Sequence, residues 1–159
     1  MNIEKRKLST VDKKLIIELF NEPLVKRHMP LASKTFDESH YQAFLEAKES
    51  IWQEYDFGPM AYFVNAEFIG WAGIQPDDGD FKLALVLSPK FWGYGRYIYQ
   101  ELIKQAFDEL NLESVTILFP PSRTRIKWIL KAGFVEESKI TIEGKAFIRY
   151  RLNSKRQND

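Results

Sequence analysis

Between Leu85 and Arg96 the chain reads Leu-Val-Leu-Ser-Pro-Lys-Phe-Trp-Gly-Tyr-Gly-Arg: an apolar strand-like run, a proline, two glycines and the opening of a helical pattern. A strand that ends in a glycine-bearing turn and leads into a helix presents backbone N–H groups at the positive end of a helix dipole, and glycine lets an anion approach them closely. The chemistry on offer is recognition of a phosphate by main-chain nitrogen. Gly93-Tyr94-Gly95 lacks the Lys-Ser/Thr ending of a Walker loop and the third glycine of a dinucleotide fingerprint, so neither of those patterns applies. A pair of glycines that merely turns the chain into a helix stays open as the alternative.

The elements that must position this segment follow from hydrophobic period. A strand is expected over Ile3 to Leu8, then a helix capped by Ser9 or Thr10 with Leu15, Ile16, Leu19 and Phe20 at helical spacing, interrupted by Pro23. Thr35-Phe36-Asp37-Glu38 has capping-box spacing and opens a second helix carrying Tyr41, Phe44, Leu45 and Trp52. The period then shortens. Ala61–Val64, Phe68–Ile74 and Phe81–Leu87 read as strands joined by turns at Asn65-Ala66 and Asp77 to Asp80, an antiparallel meander. A third helix is expected from Tyr94 to Leu110, and a strand from Val115 to Phe119 that Pro120-Pro121 ends. A short helix with Ile126, Ile129 and Leu130 stops at Gly133, and a hairpin pairs Ile140 and Ile142 with Phe147 and Ile148 across Glu143-Gly144. This order gives an α/β (α+β) fold: a mixed, mostly antiparallel sheet of about seven strands with helices on both faces. One domain is expected over residues 1–153, followed by a frayed polar tail at 154–159.

Composition narrows the function classes. At 159 residues, 45% apolar and 14% aromatic, the chain has material for one packed core. A net charge of +1 provides no global field for polyanions, so no nucleic-acid partner is expected and any phosphate recognition must be local. With no cysteine and only His28 and His40, disulfides, thiolate chemistry and metal binding are not expected. No apolar run reaches the roughly 18 residues of a membrane span, and the opening residues lack a signal-peptide core, so no membrane partner and a cytoplasmic location are expected.

In Pro89-Lys90-Phe91-Trp92-Gly93-Tyr94-Gly95, and again in Trp128-Ile129-Leu130-Lys131-Ala132-Gly133-Phe134, the chain resembles the GNAT superfamily, within it the branch that acetylates ribosomal-protein N-termini and related amines. The opening Arg6-Lys7-Leu8 to Asn21-Glu22-Pro23 and the strand order agree, so the resemblance runs from about residue 3 to 152. It implies acetyl-CoA as co-substrate and direct transfer of its acetyl group to a primary amine, on a peptide N-terminus or a small molecule, by a monomer or homodimer. Backbone groups of Leu85, Val86 and Leu87 would bind pantetheine as an added edge strand. The amides from Trp92 through Gly93, Tyr94, Gly95 and Arg96 to Tyr97 would hold the pyrophosphate. Arg123, Lys127 and Lys131, four apart on one helix face, would meet the 3′-phosphate or simply face solvent. The acceptor would contact the segment from Leu24 to Lys34 and the final hairpin.

Departures from the family pattern fall on the catalytic half. The family's small residue after the second glycine is Tyr97, its Asn at the start of the fourth helix is Ser122, its acid tyrosine falls on Ile129 and its base Glu on Lys82. An alkylammonium has no lone pair, so some group must take its proton. Asp80, His28 or water are the candidates for that step, and Ser122, ahead of Tyr97, for protonating the thiolate. The aromatic group Phe57, Tyr62, Phe63, Phe68, Trp71 and Phe81 reads as core and slot wall. Two rival readings stand beside acetyl transfer: a silent acyl-CoA-binding module of the same shape, and an unrelated α/β interaction domain.

Overall fold

The computed structural model describes residues 2–29 and 34–155. Strand β1 (Ile3–Arg6) gives way to a 3₁₀ turn, Leu8–Thr10, followed by helices α1 (Lys13–Asn21), α2 (Pro23–Arg27) and α3 (Glu38–Tyr55). The expected caps move. Ser9 and Thr10 lie in the 3₁₀ turn, and the Asp12 carboxylate instead accepts the Lys14 N–H at 3.0 Å. Pro23 does more than end α1: it occupies the first turn of α2, where its missing N–H costs nothing, with Glu22 accepting from Val25 N–H. On α3 the cap is Asp37 rather than Thr35, and His40 closes the capping box that Glu38 was expected to close. Asn21 clamps the two ends of this region, donating to the Phe36 carbonyl and accepting from the Phe36 N–H, both at 2.8 Å.

The meander forms as expected, with β2 (Met60–Val64), β3 (Glu67–Asp77) and β4 (Asp80–Leu87) paired antiparallel. A 3₁₀ helix over Pro89–Tyr94 feeds helix α4 (Gly95–Lys104), which ends in a π turn at Gln105–Glu109. Strand β5 (Ser114–Phe119), the short helix α5 (Lys127–Lys131) and the hairpin β6 (Val135–Ile142) and β7 (Lys145–Asn153) complete the chain. The seven-stranded sheet has the order β1-β2-β3-β4-β5-β7-β6, and all neighbours are antiparallel except β4 and β5. Ser154, the first residue of the expected tail, is buried and its N–H bonds the Glu113 carbonyl at 2.8 Å.

Each face of the sheet buries its own core through alternation along the strands, interrupted on β3 by a bulge at Ile69 that puts Ile69 and Trp71 on opposite faces. Ile69, Ile74, Leu83 and Leu87 pack with Ile98 and Leu102 of α4 and Ile129 of α5. Phe63, Trp71 and Val86 point the other way, onto Ile16, Leu19 and Phe20 of α1 and Tyr41 of α3. The aromatic group is core: Phe57, Tyr62, Phe63 and Trp71 are buried, with Phe68 and Phe81 half-buried against them. Among the described residues, no helix is long and apolar enough to cross a membrane.

Backbone approaches side by side only where glycine permits. Gly70 of β3 has φ +150°, and a Cβ there would stand 2.1 Å from the Val86 carbonyl and 2.8 Å from Leu87 Cα. Replacement Gly70→Ala should therefore push β3 off the end of β4. A loss of about 3 kcal/mol, from overpacking and backbone strain together, is expected as a lower urea midpoint with an unchanged slope.

Candidate active site

The site is built on a failure of pairing. β4 and β5 share one bridge, Lys82 opposite Thr116, and part beyond it, although β4 remains paired to β3 as far as Leu87 and β5 to β7 as far as Phe119. Gly70 and Leu87 face each other without exchanging hydrogen bonds, because Ser88 N–H reaches the Ile69 carbonyl just beyond them at 2.8 Å. The backbone polar groups of Leu87, and by the two-residue period those of Leu85, therefore point into the gap. Those of Val86 are used on Trp71, so Val86 offers its neighbourhood but no free main-chain group. The Leu87 carbonyl is itself taken by the Trp92 indole N–H at 2.9 Å.

A cavity of about 680 Å³ fills this gap, within the range of small-ligand sites. Leu85 to Leu87 form one wall, with Trp92, Gly93, Gly95 and Arg96 at the end of β4. Ser122, Arg123, Thr124 and Arg125 approach from the loop after β5, Tyr99 and Trp128 from α4 and α5, and Leu24, Val25, His28 and Met29 from α2 and its exit. Neither Gly93 nor Gly95 has positive φ, so the turn does not demand them. A Cβ on Gly93 would meet no protein atom within 4 Å, and one on Gly95 only Leu87 Cδ1 at 3.8 Å and Leu85 Cδ2 at 4.0 Å. Glycines that neither the backbone nor its neighbours require, on the wall of a cavity, fit close approach of a ligand.

Electrostatics are one-signed. Among the described residues that line the cavity there are three arginines and no carboxylate. Arg123 lies with its guanidinium 4.3 Å from the centre of the Phe119 ring, and its charge reaches two other wall residues. His28 is held below its ordinary value by burial first, then by Arg123 and Arg27. Tyr99 is pushed up by burial, with Arg123 opposing. Its ring packs 5.1 Å from that of Trp128.

The acetyltransferase (GNAT) domain family matches residues 4–135, which is most of the chain. The chain belongs to the GNAT acetyltransferase family. Solved structures agree in fold: an acetyltransferase of Agrobacterium tumefaciens superposes with a TM-score of 0.77 at 16% identity, covering 96% of this chain and 91% of that one. Spermidine N-acetyltransferase of Vibrio cholerae, in complex with CoA and spermine, gives 0.72 at 15% identity over 99% and 98% of the two chains. A Campylobacter jejuni N-acetyltransferase in complex with acetyl coenzyme A gives 0.67 at 18% identity over 96% and 99%. A search of curated proteins finds no match by sequence. Family membership sets aside the unrelated interaction domain and makes acetyl-CoA the co-substrate.

Of the expected GNAT site residues, Leu85, Val86, Leu87, Trp92, Gly93, Gly95, Arg96, Ser122 and Arg123 share the cavity. Several expectations change on contact with the structure. Trp92 to Tyr94 are in a 3₁₀ helix and the Gly95 N–H already bonds the Trp92 carbonyl, so the amides of Trp92 to Tyr97 are not all free. Tyr94 and Tyr97 do not line the cavity; Tyr97 stands 42% exposed on the first turn of α4, where it cannot cover the slot. Ser122 caps no helix, because α5 starts five residues later at Lys127 with Ile126 at its cap. Arg123 is consequently off the helical face shared by Lys127 and Lys131, and Lys131 is exposed and outside the cavity. The aromatic group contributes nothing to the slot wall. Tyr99, Trp128 and Arg125 went unread; the only hint was that Tyr99 follows Gly95 by four residues, one helical turn along the same face.

Asp80 lies outside the cavity, at the turn end of β4, with its carboxylate forked onto Arg151 at 2.9 and 3.0 Å. Those hydrogen bonds, and the charges of Arg151 and Arg149, hold its pKa below the usual carboxylate range against partial burial. A group so stabilised as an anion is a poor proton acceptor. Its pairing contributes stability above the unfolded carboxylate value near 3.9 and loses it as pH falls through the lower folded value. Asp80→Asn should cost up to about 1 kcal/mol at pH 7, a pair this exposed being well screened. Urea unfolding at pH 7 and pH 3 should show that deficit shrinking in acid, as the Asp80 carboxyl takes up a proton in the unfolded chain.

Proposed function

We propose that this GNAT acetyltransferase binds acetyl-CoA along the open edge of β4 and passes its acetyl group to a single primary amine, on a peptide N-terminus or a small molecule. The observation that carries this is the strand edge left open at the Leu85 main chain and the Leu87 N–H, which leads directly to the two conformationally unnecessary glycines. Pantetheine amides would complete the missing ladder at Leu85 and at the Leu87 N–H. Arg96, Arg123 and Arg125 suit the phosphates, and Ser122 stands among them with its hydroxyl. The thioester would then lie toward Leu85, where the cavity ends along β4.

The acceptor would enter from the side of α2, past Leu24, Val25 and Met29. An apolar approach beside three arginines and no carboxylate supports an acceptor with one amine, and an N-terminal amine of the ribosomal-protein type meets that requirement. A polyamine of the kind bound to the Vibrio cholerae protein would bring further positive charge into a cationic cavity. A cytoplasmic setting fits as well, since a chain without cysteine needs no oxidising compartment.

Acetyl-CoA should raise the melting temperature of the free protein, and thiol should appear only when an acceptor amine is added. Gly93→Ala should leave unfolding stability within about 0.5 kcal/mol of wild type, yet weaken CoA at least about tenfold. Titration calorimetry showing no CoA binding by the wild type, or unaltered binding by Gly93→Ala, would overturn the placement of the coenzyme.

A further inference from the structure

We infer that His28 accepts the proton of the attacking amine, an inference that rests on the acetyl transfer proposed above. His28 ends α2, its backbone N–H fixed on the carbonyl of Val25, and its ring stands edge-on to Trp92 with 6.0 Å between centroids. Both rings line the cavity that also holds Leu85 and Leu87. His28 thus shares the cavity with the strand edge proposed for the pantetheine arm and belongs to the α2 side proposed for the acceptor.

Elimination among the wall residues points the same way. The described residues lining the cavity include no Asp, Glu, Lys or Cys. Arginine stays protonated throughout the working range, and Tyr99 keeps its proton because burial raises its pKa. Serine and threonine hydroxyls are far too weakly basic. An imidazole with a free lone pair is what is left. Nδ1 is buried and has no hydrogen-bond partner among the described residues, so no carboxylate among them holds the ring charged through that nitrogen. The charged groups that face it are Arg27 on its own helix and Arg123 across the cavity, both of which favour the neutral ring.

The transfer balances with this one group. The amine enters neutral, having lost its first proton to water. As its nitrogen bonds to the thioester carbonyl carbon, His28 takes the second proton, and the C–S electron pair leaves with sulfur. The imidazolium gives its proton to water and the thiolate takes one from water, restoring the ring. Because the arginines weaken the imidazole as a base, the negative coenzyme beside Arg123 has a second effect: it cancels part of that field and makes His28 more basic only when acetyl-CoA is in place.

His28→Gln and His28→Asn provide the test, each checked for a wild-type melting temperature. With an acceptor identified by thiol release, both variants should lose at least about 100-fold in kcat, with CoA affinity within threefold of wild type. Below the lowered pKa of His28, log kcat/KM of the wild type should fall with slope 2, one proton on the amine and one on imidazole, and that of the variants with slope 1. Calorimetry of CoA binding near pH 6.5 in two buffers of different ionisation enthalpy should show proton uptake by the wild type that exceeds that of either variant. Variants within threefold of wild-type kcat and retaining slope 2, or equal proton uptake, would overturn the role of His28 while leaving coenzyme binding intact. Failure of the wild type to bind CoA would instead overturn the reading beneath it.

Discussion

The structure depends on where two strands stop sharing hydrogen bonds. Backbone N–H and C=O groups are costly to leave unpaired away from water, so a sheet normally closes its ladders on both sides of every central strand. β4 and β5 are central, yet they separate after the Lys82–Thr116 bridge. Each keeps its outer ladder intact, β4 to β3 through Leu87 and β5 to β7 through Phe119, so the parting exposes only the facing groups. One of these, the Leu87 carbonyl, is satisfied by Trp92, whose indole lies too near the end of β4 to block the rest of the edge. What is left is a short stretch of strand edge inside the molecule, lined by side chains and open to an extended ligand.

Positioning of that edge falls to residues that touch no ligand. Gly70 lets β3 approach within reach of the Val86 carbonyl, which keeps β4 on the β3 side of the split. Leu87 and Ile98 join one core and Val86 the other, so β4 is gripped from both faces while its lateral edge stays free. At the far end, Thr116 Oγ1 lies 3.5 Å from the Phe81 carbonyl and Arg151 forks onto Asp80, holding β5 and β7 to β4 where the strands still meet. The gap is thus a wedge fixed at one end, and its depth is set by the register of a single bridge.

Much of this was legible in residue order. The apolar and aromatic runs Phe68–Ile74 and Phe81–Leu87, with turn residues between them, give the meander, and the glycines after it mark the turn into α4. Caps were read less well, because Thr35 and Asp37 both have acceptors at suitable spacing and only the chain path chooses Asp37. A four-residue spacing put Arg123 with Lys127 and Lys131, but Pro120-Pro121 leave a loop that delays helix α5 to Lys127, and Arg123 turns onto Phe119. Asp80 had the right strand and the wrong end of it; its partner Arg151 is 71 residues away, a separation no local pattern reveals. The approach of α2 to the cavity was foreseen only as a segment, since the fold-back that brings His28 beside Trp92 is tertiary.

Arg123 connects the two halves of the site. One guanidinium, resting on an aromatic ring that supplies no counter-charge, depresses the affinity for protons of both His28 and Tyr99. For the imidazole this adds to burial and the two together keep the ring neutral; for the phenol it opposes burial and moderates the rise. A carboxylate in the wall would neutralise that charge permanently, and proton affinity in the cavity would then be the same with or without ligand. With no carboxylate among the described lining residues, a negative charge to offset Arg123 would have to come from what binds, and an anion there would raise the proton affinity of His28 and Tyr99 together.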